Sequence, residues 1–300
     1  MSVRPLRAEP PCRCAPTPGT DIPIALLTEF ISNDKLDPPL YALTVDYERG
    51  SWRAGALAKH LLRWTTDYAL RPRERANVPE GLLFDAAATA IRRTFGTGAA
   101  AGVPGELLLH IACRQMFGSD TVISKVVFKS SKNETFRGFD GVHVVHGNEG
   151  LELWLGEAKF YRNLAKAIRS VAQELEDHLG TDYLHDEFAL VTDKIDDDHP
   201  HAAELRRLLD PAVSLDKVVQ RVCVPVLLTY DSDVTIANTA DCETYRAELE
   251  AELKRGWTRF KNALDGLPNI DVAVRLILVP LATKQALVAA LRDLRPKKTA

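Results

Sequence analysis

Phe139-Asp140-Gly141-Val142-His143-Val144-Val145 and, a few residues on, Leu151-Glu152-Leu153-Trp154-Leu155-Gly156-Glu157-Ala158-Lys159-Phe160 decide how this chain reads. Both are apolar runs of strand length, and His146-Gly147-Asn148-Glu149-Gly150 between them supplies the glycines and asparagine of a tight hairpin. Side chains alternate across a strand, so Leu151, Leu153, Leu155, Glu157 and Lys159 share one face. That face is apolar until it ends in an acid and a base two positions apart. Buried charges are costly unless paired or bound to a metal, so Glu157 and Lys159, with Asp140 opening the neighbouring strand, point to a site. Hard divalent cations such as Mg²⁺ take carboxylate oxygens, which makes Asp140 and Glu157 candidate ligands. Such an ion would polarise a phosphoryl oxygen and acidify an attacking water. Lys159 would then position that water or stabilise the developing charge. The plain alternative is a solvated surface pair that contributes little.

The Asp140-x16-Glu157-x-Lys159 spacing resembles the PD-(D/E)XK nuclease superfamily, with Phe139-Asp140 in place of the proline-aspartate of its name. The longer wording Gly138-Phe139-Asp140-Gly141-Val142-His143, followed by Leu153-Trp154-Leu155-Gly156-Glu157-Ala158-Lys159-Phe160-Tyr161, is similar to the C-terminal domain of the HamA family. HamA is the effector subunit of the bacterial Hachiman anti-phage defence system, and the close likeness covers residues 137–161. The resemblance implies an αβββαβ core and a Mg²⁺-dependent DNA endonuclease, with Mn²⁺ able to substitute. Asp140, Glu157 and Lys159 would be its catalytic residues, and the Ala158 carbonyl a further metal ligand. In such folds the helix before the first core strand often adds an acid, a place that Glu106 occupies. Acids are also favoured in a helix's first turn by the dipole alone, so both readings of Glu106 stand. Related nucleases sometimes use a polar residue on the helix after Glu-x-Lys, where Gln173 lies. The resemblance further implies a partner helicase, HamB, that restrains the nuclease until infection disturbs DNA, and broad degradation thereafter. Two other classes remain open: a silent nuclease-fold subunit that binds DNA or docks a helicase, and a restriction- or repair-type nuclease.

The rest of the chain is compatible with this. At 300 residues, 46% hydrophobic and 26% charged, it has the composition of a soluble globular protein with a sizeable core. A net charge of −3 gives no global pull toward DNA, so contact with phosphate must rest on local patches. Lys129, Lys132 and Arg137 beside the site, and Arg162, Lys166 and Arg169 grouped on the following helix, are the candidate DNA-binding residues. Simple solvation explains the Lys129–Arg137 turn as well; the Arg71, Arg73 and Arg75 loop could touch phosphate, but a solvated linker fits it better. Five scattered cysteines suit reduced, cytoplasmic thiols. No apolar run approaches the ~20 residues of a membrane helix.

Residues 1–20, proline-rich and without an apolar core, are expected to be a disordered tail rather than a signal peptide. Residues 21–78 are expected to form an accessory region, beginning with one helix and one strand before a helix from Ala54. Residues 79–296 are expected to form the nuclease-like domain. Helical periodicity marks 80–95, 105–117, 164–179, 245–264 and 283–294, and strands are expected at 121–129, 222–230 and 270–281. Pro225 suggests an edge or bulged position for the strand that carries it. Asp196-Asp197-Asp198-His199-Pro200-His201 reads as a solvated loop, and His143 as structural. The fold class is therefore α/β: a mixed central sheet flanked by helices, with an αβββαβ core and extensions at both ends.

Overall fold

The computed structural model describes residues 22–95, 102–124, 126, 138–147, 150–267 and 272–294. β1 (Thr28–Asn33) and β2 (Leu40–Thr44) pair antiparallel, and β3 (Tyr47–Glu48) and β4 (Ser51–Trp52) form a small separate hairpin. Helices α1 (Ala54–Ala69), α2 (Pro72–Asn77), α3 (Leu83–Phe95) and α4 (Val103–Phe117) lead to β5 (Asp120–Ser124), β6 (Gly141–Gly147) and β7 (Gly150–Phe160). Helices α5 (Leu164–His178), α6 (Thr181–Lys194), α7 (Ala202–Leu208) and α8 (Leu215–Val219) precede β8 (Val222–Asp231). After these come α9 (Asp233–Ala237), α10 (Glu243–Asp265), β9 (Ala273–Leu281) and α11 (Lys284–Asp293).

Seven strands form one mixed sheet in the order β1-β2-β9-β8-β7-β6-β5. The central strands β2, β9, β8 and β7 run parallel, whereas β5-β6-β7 is an antiparallel meander. The α4-β5-β6-β7-α5-β8 succession contains the helix, three strands, helix and strand expected of the core. Strand alternation sorts the apolar side chains into two layers. Leu153, Leu155, Val226 and Leu276 face α5 and α10, while Trp154, Leu227 and Ile277 face α1, α4 and α11. Nearly all of α4 is buried between the sheet and α1, and its polar row Glu106, His110 and Arg114 finds partners in Tyr68 and Asp67 of α1.

Several expectations change. The stretch 22–47 holds two strands, and β2 joins the central sheet beside β9 rather than standing apart. Pro225 lies in an interior strand, with β7 and β9 on either side. The sheet accommodates it without a bulge: pairing of β8 to β7 lapses opposite Leu155 and Gly156 and resumes at Glu157 in the same register. The missing N–H costs one stretch of ladder and nothing in alignment. Arg71, Arg73 and Arg75 bracket and line a short helix opened by Pro72, where the fixed φ of proline is already helical. Arg75 pairs with Asp67 at 2.6 Å instead of presenting its charge to a ligand. The first core strand stops at Ser124, consistent with a short edge strand, and Lys129, Lys132 and Arg137 lie outside the described residues. The three helices α6, α7 and α8 between α5 and β8 were not among the expected elements, although Leu184, Phe188 and Val191 recur at helical spacing along α6 and are buried.

Two glycines let α4 settle directly on β7. A Cβ at Gly156 would meet Leu109 at 2.8 Å, and one at Gly105 would lie 3.0 Å from Phe160 Cβ and 3.4 Å from its backbone nitrogen. This close approach carries Glu106, the next residue of α4, to the end of β7. Gly105→Val should destabilise the protein by about 1–3 kcal/mol through overpacking, read as a lower urea midpoint with unchanged slope.

Candidate active site

The end of β7 lies where its partners change from antiparallel to parallel. Asp140 sits immediately before β6 and is fixed to β7 by backbone bonds. Its amide donates to the Gly156 carbonyl at 2.8 Å, and the Ala158 amide donates to Asp140 Oδ2 at 2.9 Å. Glu157 and Lys159 project to the α5 side, as alternation requires, and both are buried. Lys159 Nζ donates to Glu157 Oε1 at 2.6 Å and also to the Glu174 carboxylate on α5. Glu106 approaches from the opposite layer, its Oε2 accepting a 2.5 Å hydrogen bond from the Tyr68 hydroxyl of α1. Asp140, Glu157, Lys159 and Glu106 all line one cleft of about 1390 Å³, together with Ala158, Glu174 and His178.

The electrostatics are unbalanced. Burial first, then the negative charge of Asp140, push the Glu157 carboxyl well above its usual range, against the pull of Lys159. Burial also disfavours the charge on Glu174, but hydrogen bonds from Glu157 and Lys159 hold this carboxyl below the ordinary value. On Lys159 burial works against the ammonium, and the charges and hydrogen bonds of Glu157 and Glu174 overcome it. Burial and Asp140 thus disfavour the charged form of Glu157, while the contacts of Glu174 and Lys159 favour theirs. Asp140 and Glu157 in one cleft offer the hard oxygen donors that a divalent cation would take. Among the described residues no group of three or more His, Cys, Asp or Glu side chains is placed to hold a metal ion, so the donors a cation would draw on are a looser set. Asp140 and Glu157 would lead it, with the Ala158 carbonyl and Glu106 as further donors in the same cleft.

Of the expected phosphate contacts, Arg162 and Lys166 line the cleft. Arg162 belongs to the turn after β7 rather than to the helix, and Arg169 is exposed on α5 and does not line the cleft. Gln173 is likewise exposed and bonds Asp177 at 3.2 Å. The residue of α5 that reaches the site is Glu174, which the helical spacing does encode: it follows Val171 of the buried stripe by three and precedes Leu175 by one. Tyr68 and His178 carried no such signal. His178 stacks on Tyr183 with ring centroids 4.5 Å apart, and burial lowers its pKa. His143 is structural as expected, buried with Nδ1 3.0 Å from Ser119 Oγ. The aspartate-rich 196–201 segment is a loop tied down by Arg206, which donates to Asp197 and to the Ile195 carbonyl.

The sequence model of the HamA family matches residues 24–294. The chain belongs to the HamA family. It is thus a Hachiman-type defence protein, and the match reaches from β1 through α11, far beyond the hairpin wording. No curated protein matches the chain. Among its described residues no helix is long and apolar enough to cross a membrane.

Behind the hairpin of this HamA chain, Glu187 of α6 is buried and accepts a hydrogen bond from the Phe139 amide, while its Oε1 has no partner. Burial pushes its pKa up to about 7. A raised carboxyl stabilises the fold below its unfolded pKa and loses that contribution as pH rises through the folded value. Wild type should therefore lose up to about 3 kcal/mol between about pH 4.5 and 7. In Glu187→Gln this component should vanish, seen as a flatter dependence of Tm on pH.

Proposed function

We propose that this chain is a metal-dependent DNA endonuclease of PD-(D/E)XK type. It would be the effector of a Hachiman system, cutting phosphodiester bonds with little sequence specificity under the control of a HamB-type helicase. The observation that carries this reading is the convergence of Asp140, Glu157 and Lys159 at the end of β7, in a cleft large enough for a nucleic-acid strand. Mg²⁺, or Mn²⁺ in its place, would supply Lewis-acid polarisation of the phosphoryl oxygen and a more acidic water. Asp140 and Glu157 would hold the cation. Lys159, kept as an ammonium by Glu157 and Glu174, would donate hydrogen bonds to the attacking water or to the charge growing on the phosphoryl oxygens. It has no lone pair to act as the base. Arg162 and Lys166 at the cleft mouth hold backbone phosphates, contacts that carry no base information. Free thiols at Cys113, Cys223 and Cys242 agree with a cytoplasmic enzyme.

The decisive assay is cleavage of linear, nicked and supercoiled DNA in Mg²⁺, by the chain alone and with its helicase. Glu157→Ala and Lys159→Ala should each lower the rate by about a hundredfold or more, and chelator should abolish it. If DNA or helicase binds but nothing is cut under any of these conditions, the chain is a binding module.

Proton linkage gives an independent check on the ligand assignment. Glu157 must lose its proton to take a cation, so Mg²⁺ affinity should fall as pH drops through its raised pKa. Calorimetric titrations in two buffers of different ionisation enthalpy should show proton release on binding, lost in Glu157→Gln.

A further inference from the structure

The cleft has two ends of opposite character, and only one belongs to the hydrolytic site. Around Lys159 gather Glu106, Asp140, Glu157 and Glu174, an end suited to a cation. The other end is framed by the carboxyl ends of the parallel strands β7, β8 and β9, where ligands of open α/β sheets commonly bind. There Asp231, the last residue of β8, ties two other elements together. Its Oδ2 accepts from Arg162 Nε at 3.0 Å, and its Oδ1 accepts from the Lys284 amide at the start of α11 at 2.5 Å. The Asp231 amide donates to the Arg162 carbonyl at 2.9 Å, and the Ser232 amide to the Leu281 carbonyl at 2.8 Å, so this corner is built of backbone. Lys284 Nζ lies over the Phe160 ring at 4.4 Å and donates to the Phe160 carbonyl at 2.5 Å, which brings its ammonium to the end of β7. Arg162, Lys166 and Lys284 thus meet Asp231 and Asp233, leaving this end positive.

We infer that Arg162 and Lys284, held by Asp231, form a binding subsite for a DNA backbone phosphate next to the one that is cut. This rests on the nuclease reading above and adds Lys284, from an element that reading leaves unused. Three residues of extended chain separate Lys159 from Arg162, about 10 Å at most, so the phosphate held here is a neighbour of the scissile one. A strand seated this way runs across the ends of β7, β8 and β9, and not along the outer face of α5 where Arg169 lies. Two cations on different elements fix a phosphate from two sides, with Asp231 holding the Arg162 guanidinium and the Lys284 backbone, and the Phe160 carbonyl holding the Lys284 ammonium.

The test is binding of a fluorescently labelled DNA duplex in Mg²⁺ over a salt series, using the full chain with Lys159→Ala to suppress cutting. Adding Lys284→Ala or Arg162→Ala should weaken binding several-fold and make the salt slope shallower by about 0.9 for each lost contact. Lys254→Ala on exposed α10 removes the same charge elsewhere and should leave the slope unchanged. Thermal unfolding of each variant shows that the fold is kept; Arg162, whose side chain is 71% exposed, serves if Lys284→Ala does not fold. An unchanged slope in both variants, an equal effect of Lys254→Ala, or no binding by the parent chain would overturn the subsite. Cleavage by the otherwise wild-type chain is scored separately. Robust cutting with unchanged slopes removes the subsite and leaves the nuclease, whereas shallower slopes without any cutting do the reverse.

Discussion

Everything at the site depends on the bond from the Ala158 amide to the Asp140 carboxylate. Asp140 precedes its strand; its amide is tied to the Gly156 carbonyl, and the Ala158 bond is what fixes its carboxylate. The bond locks it to the strand that carries Glu157 and Lys159, and the register of β6 on β7, Gly141 opposite Gly156, makes the bond possible. A slip of one residue would turn Glu157 toward α4 and Ala158 toward α5, because strand side chains alternate with a period of two. The register is in turn fixed by burial: Val142, Val144, Leu153 and Leu155 reach the α5 layer only in this alignment. Hydrophobic packing of the hairpin is thus what aims the charges.

The charge arrangement itself is costly, and its structure shows how the cost is spread. Glu157 is buried beside another carboxylate, Lys159 is shared between two acids, and α4 brings Glu106 in from behind under the hold of Tyr68. Removing a single member of such a set leaves its partners buried and uncompensated. Strain of this kind is common where a site must hold a cation or a developing charge, and it explains why an otherwise apolar strand ends as it does.

The hairpin, its alternation and the three charges at its end were legible in the sequence because strand periodicity and glycine placement are local signals. The long helices α4, α5, α10 and α11 were legible for the same reason. Glu174 was within reach of helical-wheel reasoning, yet Gln173 drew attention through its amide while pointing to solvent. Tyr68, Lys284 and Asp231 were beyond it, since α1, β8 and α11 meet the site only through the order of strands in the sheet. Pro225 misled for a physical reason: proline forbids one hydrogen bond, not a place inside a sheet, and a parallel ladder can simply skip it. Arg75 misled too, because a run of arginines does not reveal that a buried aspartate on α1 waits for one of them.

The strand order has a bearing on how the protein is made. β2, formed by residues 40–44, finds its parallel partner only in β9, residues 273–281, near the other end of the chain. Loop closure over such a separation comes late in folding, and on the ribosome it cannot begin until β9 has emerged. The Lys284 wall of the cleft lies beyond β9 in sequence and is made after it. A nascent chain can therefore assemble the β5-β6-β7 hairpin and its three charges while the opposite wall does not yet exist. The two walls of the cleft thus form in sequence order, the β7 wall first and the Lys284 wall only once β9 is in place.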